Sequence, residues 1–216
     1  MSAPAVETAH LRFPGVRAPN PLLPADAERR LTDRQRQVID TLEELVAQGE
    51  LAELTMAEIA REVNCSLRTL YEIAPSKDEL VLTVVDRGLH RIGRAAIEAL
   101  DPTLPPLDAL LVYLEAVSEA VQPTAASGSR DFAAVPGAQR LFDAHEDYVV
   151  AVTQSLLDCA VTEGQIRPVD TAALAHLLGG LGREFSRPDV APLIKKSPKE
   201  TAGALVRIIM RGLEAN

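Results

Sequence analysis

The chain has 216 residues, 47% apolar and 25% charged, with 3% aromatics and a formal net charge of −9. That is enough apolar chain for a sizeable core, and the scarcity of aromatics puts this core on Leu, Val, Ile and Ala and favours helices. The acid excess excludes a broad basic field for holding nucleic acid.

Residues 1–25 form a Pro-rich segment without sustained periodicity, read as a mobile arm. His10, Arg12 and Arg17 are its only candidates for touching DNA. Thr32 with Gln35 caps a first helix whose core face is Val38, Ile39, Leu42, Leu45 and Val46. Arg29, Arg30, Arg34 and Arg36 make a basic cluster, placed either along a DNA backbone or on a solvated helix face.

The run Leu54–Leu80 carries the most information. Thr55 and Glu58 form a capping box ahead of an inward face of Ile59, Ala60 and Val63. Asn64 stands at the turn, where a left-handed residue is needed and Asn tolerates that conformation. Ser66 caps a second short helix in which Leu70 faces in and Arg68 and Thr69 face out. Pro75 ends it, and Ser76 with Glu79 opens a long helix to about Leu100. Helix, tight turn and helix spell a helix-turn-helix, whose second helix enters the DNA major groove with its N-terminal residues at base edges. Ser66, Leu67, Arg68 and Thr69 occupy that edge, and Arg68 has the donors for a guanine or a phosphate. Thr55, Tyr71 and Lys77 stand where phosphates are held, contacts that set position rather than sequence preference. The pattern by itself fits a plain helical hairpin equally well.

Helices are then expected over residues 107–121, near 130–135, over 137–162 and from Asp170, the last lined by Leu174, Leu177, Leu178 and Leu181. Ser197, Pro198 and Glu200 start a final helix carrying Leu205, Ile208, Ile209 and Leu213. The fold class is all-α with about nine helices: a helix-turn-helix domain over 26–80 and a helical domain over 81–216. Two recognition helices must lie about 34 Å apart to meet successive grooves. The last two long helices are the candidates for the homodimer that holds this spacing. Gly179, Gly180 and Gly182 allow close helix approach or break a helix; an anion-binding loop is rejected because no strand precedes them.

Polar or aromatic groups stand on otherwise apolar faces at His90, Tyr113, Phe142, His145 and Tyr148. Ordinary core packing is one role open to each. Asp143, His145, Glu146 and Asp147 are scattered around a helix, and no zinc-protease, nucleophile-elbow or phosphate-loop motif occurs, so no enzyme is expected. Cys65 and Cys159 match no metal spacing, and no metal or cofactor is expected. Cys65 reads as a packing residue, or else as a thiol whose oxidation would disturb the turn. No secretory leader or membrane-length apolar run is seen, so a soluble, cytoplasmic protein without a membrane partner is expected.

The run Leu70-Tyr71-Glu72-Ile73-Ala74-Pro75-Ser76-Lys77-Asp78-Glu79-Leu80 resembles the end of the DNA-binding domain in the TetR family of one-component regulators. The resemblance covers roughly Thr32 to Val85. It departs from the family pattern at Ala74, where an aromatic is usual, and at Asn64, where the turn usually has Gly. It implies a dimeric repressor on a palindromic double-stranded operator. It also implies that residues 81–216 are a ligand-binding and dimerisation domain whose middle helices enclose a small hydrophobic effector, with His90, Tyr113, Phe142, His145 and Tyr148 as the candidate contacts, and that its binding shifts the helix after Ser76 and releases DNA. The alternative is a dimeric helical protein of the same fold that binds a ligand or a partner but not DNA. The acid excess of residues 26–80, seven Lys/Arg against thirteen Asp/Glu, supports that alternative.

Overall fold

A computed structural model describes residues 13, 15–48, 51, 54–118, 135–187 and 189–214. Among these residues the regular structure is helical, with no strand: α1 (Ala25–Arg30), α2 (Asp33–Gln48), α3 (Met56–Glu62), α4 (Leu67–Ile73), α5 (Lys77–Glu98), α6 (106–118), α7 (Ala138–Thr162), α8 (Thr171–Ser186) and α9 (Pro198–Leu213). The expected helix near 130–135, the end of the 107–121 helix, His10 and Arg12 lie outside the described residues.

The helix starts follow local chemistry. Thr32 and Gln35 exchange backbone and side-chain hydrogen bonds at the head of α2. Full capping boxes close Thr55 with Glu58 and Ser197 with Glu200, the latter with Pro198 in the first turn. Asp170 caps α8 by accepting from the Ala173 amide. Helix α1 was not foreseen, because its six residues bury nothing and so carry no apolar period.

The chain forms two compact units. The first comprises residues 18–92 and 120–145. Its core gathers the predicted face of α2 with Ile59, Ala60 and Val63 of α3, Leu70 of α4, Ala74, and Leu80, Val81, Val84 and Val85 of α5. Ala138 of α7 joins them. Arg87 is the polar centre of this unit. Its guanidinium, 20% exposed, donates to Glu28 at 3.3 Å, Asp40 at 2.9 Å and Glu43 at 2.7 Å, joining α1 and α2 to α5. Arg91 adds a second bond to Glu43 at 2.6 Å.

The second unit comprises residues 1–17, 93–119 and 146–216. Its core includes Ala96, Leu110, Tyr113, Val152, Leu156, Leu157, Ile166, Leu178, Val206 and Met210, with Phe13 and Val16 packed against it. The glycine run plays a split part. A Cβ on Gly179 would stand 3.1 Å from Val150, a close approach of α8 to α7, whereas Gly180 and Gly182 open onto free space. The expected linings of α8 and α9 need correction. Leu177 is 52% and Ile208 64% exposed. The side that α9 buries is Ala202, Val206 and Met210, spaced four residues apart. Each helix carries more apolar surface than its own core covers, and the smaller residues face inward where helices approach closely.

Replacing Arg87 with Met should lower stability by about 2 kcal/mol, the scale of hydrogen bonds to charged groups, because Glu43, itself 13% exposed, loses one of its two cationic partners. Urea unfolding of both proteins checks this; an unchanged midpoint would show that Arg87 is not the joint described.

A candidate nucleic-acid interface

Seven-residue helices such as α3 and α4 cannot persist alone, since nucleation costs more than so few hydrogen bonds return. Their ends and undersides therefore fix them. The Thr55 hydroxyl donates to Glu58 Oε2 at 2.7 Å and accepts from the Glu58 amide at 3.3 Å. The hydroxyl bond first, and the bond from the Thr55 amide to the same oxygen at 2.8 Å second, hold the Glu58 carboxyl below its ordinary range, so it stays charged at the helix start. At the turn Asn64 has φ 49°, the left-handed conformation expected of it. The Arg34 guanidinium donates to the carbonyls of Val63, at 3.4 Å, and Asn64, capping the end of α3. Of the basic cluster, Arg34 is thus spent on the turn. Arg36 is paired with Asp33 at 3.0 Å and Arg30 with Asp26 at 2.7 Å. Cys65 is half-buried, and burial pushes its thiol up, which suits a packing residue more than a redox sensor.

Helix α4 is presented by its buried side. Leu70 is 0% exposed and Ala74 3%, so both are anchored in the core. Ala74 needs no aromatic bulk to be buried there. The other side is open: Ser66 and Arg68 are exposed, Leu67 is 40% and Tyr71 50% exposed, and Thr69 is half-buried. Ser66 Oγ accepts from the Thr69 amide at 3.0 Å and lies 2.8 Å from its hydroxyl. Arg68 protrudes from the motif, with 87% of its side chain exposed. It leans back on Glu72, one turn along, at 2.9 Å. Such an exposed pair contributes only about 0.3–0.5 kcal/mol, so the guanidinium is readily available to another anion. The Ser76 hydroxyl accepts from the Glu79 amide at the head of α5, beside Lys77. All seven predicted DNA-side residues lie on or beside this one motif.

The five predicted small-molecule contacts divide between the units. His90, Phe142 and His145 lie in the first. Tyr113 and Tyr148 lie in the second, where the Tyr148 ring rests 3.5 Å from a Cβ position on Gly93. Tyr113 is 0% exposed, and its hydroxyl and that of Thr153 are buried without a hydrogen-bond partner. Burial first, and the neighbouring Tyr148 second, push the Tyr113 phenol well above its ordinary range. Thr153 drew no notice in the sequence, where it reads as one polar residue within an apolar helix. A separate cleft of about 530 Å³ in this unit is lined by Gly15, Val16 and the polar side of α7 from Gln154 to Glu163, and includes none of the five.

Residues 38–84 match the family described as bacterial regulatory proteins, tetR family. An uncharacterised HTH-type transcriptional regulator of Mycobacterium tuberculosis is 32% identical over 78 residues, which span 36% of this chain and 39% of that relative. Among solved structures, a TetR transcription regulator from Haloarcula marismortui superposes with a TM-score of 0.71 at 18% identity, over 85% of this chain and 100% of that one. A transcriptional regulator from Saccharomonospora viridis in complex with choline gives 0.69 at 15% identity, over 86% and 100%. Residues 38–84 thus match the family's model, and the chain shares the fold of these solved regulators. The proteins it matches are regulators, not enzymes. No helix among the described residues is long and apolar enough to cross a membrane.

Glu72→Gln should free Arg68 and remove one negative charge from the exposed side of α4. Non-specific duplex affinity at low salt should rise roughly two- to fivefold, the range of one exposed charge pair. Fluorescence anisotropy with a labelled duplex measures it, and weaker binding would contradict the exposed role given to Arg68.

Proposed function

We propose that this protein is a ligand-responsive transcriptional regulator, a repressor that binds a palindromic operator as a homodimer and is released by a small, largely apolar effector. The observation that carries this reading is the exposed edge Ser66, Leu67, Arg68, Thr69 and Tyr71 standing on a fully buried Leu70. With Thr55 and Lys77 to hold phosphates, a recognition helix so presented has the groups that groove docking requires. Residues 26–80 serve as the DNA-binding domain, 81–216 as the effector and dimer region, and 1–25 as an arm. Because residues 26–80 are acidic overall, binding depends on this local edge and not on long-range attraction.

The homodimer reading rests on α8 and α9. Leu177 and Ile208 project into solvent, and Gly180 and Gly182 leave open space beside them for a second helix pair. The effector reading rests on the apolar surroundings of Tyr113 and Tyr148. There the partnerless hydroxyl of Tyr113 suits an apolar molecule bearing one or two polar groups. The choline complex of the Saccharomonospora viridis neighbour supports a fold able to house such a molecule. An effector that favours one setting of α5 over another shifts the operator-binding population by that difference in affinity. His90, Phe142 and His145 are the remaining effector candidates. A protein acting on DNA inside the cell is expected in the cytoplasm.

Selection of the purified protein on a random duplex library, over a salt series, should enrich a palindrome whose affinity falls steeply with salt. Arg68→Ala combined with Lys77→Ala should weaken that operator by more than tenfold, roughly two contacts at 1–3 kcal/mol each, while the dimer stays intact by light scattering. Failure of any duplex to enrich at low salt, with the protein folded, would favour the alternative of a ligand- or partner-binding protein that does not act on DNA.

A further inference from the structure

The first unit holds a second constellation that DNA binding leaves unused. Asp86, on α5, is 1% exposed. One of its oxygens, Oδ1, lies 3.0 Å from His145 Nε2 of α7 and 3.5 Å from His90 Nε2, one turn further along α5. The two imidazoles meet edge to face, centroids 4.8 Å apart. One donor atom from each of the three residues lies within 4.8 Å of the others.

We propose that Asp86, His90 and His145 bind one divalent late-transition-metal ion of the zinc type. Ligands about 2.0–2.2 Å from a tetrahedral ion stand about 3.3 Å from one another, and the two observed oxygen–nitrogen separations, 3.0 and 3.5 Å, bracket that value. Two imidazoles and one carboxylate form a set that suits zinc, cobalt or nickel. Magnesium and calcium, which take oxygen donors, are disfavoured. Three protein ligands leave a fourth position for water or an exogenous ligand. The outer shell is also in place: the backbone amide of Leu22 donates to Asp86 Oδ2 at 2.7 Å, which orients the carboxylate with Oδ1 toward the histidines. The competing role is a buried Asp–His hydrogen bond with a second histidine beside it. That role uses one histidine nitrogen, whereas here two approach one oxygen. An ion at this place joins α5, which directly follows the recognition helix, to the start of α7.

The sequence showed only part of this. Asp86 and His90 share a helix face by their spacing, but His145 is 59 residues from Asp86. Neither the cysteine spacing nor any His-Glu-x-x-His motif points to it, so the sequence leads to no expectation of a metal.

The full-length protein, stripped with a chelator and dialysed, is titrated with Co2+ and then Zn2+. One ion per chain should bind, with the visible absorption of tetrahedral cobalt, and zinc should displace it. His90→Gln and His145→Gln should each weaken binding by more than about tenfold, the lower range seen for altered metal sites; far-UV circular dichroism in chelator confirms that each is folded. Less than one ion per chain in the wild type would overturn the proposal. So would wild-type affinity in folded His90→Gln and His145→Gln proteins. If His145→Gln fails to fold, His90→Gln, at a position 12% exposed, decides alone. The readout is the metal itself, so the result stands whether or not the chain binds DNA.

Discussion

The two helices that face outward in the helix-turn-helix are only seven residues each, and everything the motif presents depends on the apolar seam beneath them. Ile39, Ile59, Leu70 and Leu80, all 0% exposed, come from four successive helices, so no helix of the motif is defined without the other three. Burial of each such side chain contributes about 1.5–3 kcal/mol, against caps of about 1 kcal/mol each. The seam therefore sets where α4 lies, and the caps set where it begins. With Ser66 fixed as the start, Leu67, Arg68 and Tyr71 must fall on the open side once Leu70 falls on the closed one.

Charge within this unit is used mainly for joining. Thirteen acidic residues between 26 and 80 look unsuited to a DNA-binding segment, yet Glu28, Asp40 and Glu43 converge on Arg87, and Glu58 holds a helix start. Arg34 is likewise committed to the turn carbonyls. Net charge is thus a poor guide to this surface. Arg68 combines near-complete exposure with a partner weak enough to release it.

Helices α5 and α7 both contribute to both units, and most of the unusual polar groups lie along them, Tyr113 on α6 being the exception. In the first, a buried carboxylate meets two imidazoles; in the second, two hydroxyls lie buried without a partner among aliphatic side chains. Buried polar groups are costly unless something satisfies them. These two places differ chemically: one offers nitrogen and carboxylate donors, the other hydroxyls in an apolar wall.

What the sequence determined by itself was local. Thr55, Ser66, Asp170 and Ser197 mark helix starts because capping bonds span only two or three residues. Asn64 marks the turn because few other residues tolerate its φ, and the face of α2 follows from helical period. That the seven residues proposed to meet DNA share one motif was legible for the same reason, since capping and turn signals are local. Tertiary structure alone decided which apolar stripe of α8 and α9 turns inward, because Leu177 and Ile208 are as apolar as the residues that are buried. It alone sent Arg34 to the turn and gathered three carboxylates on Arg87. It also brought His145 to Asp86. Each of these depends on contacts between helices distant in sequence, and a period of 3.6 residues carries no record of which helix lies opposite.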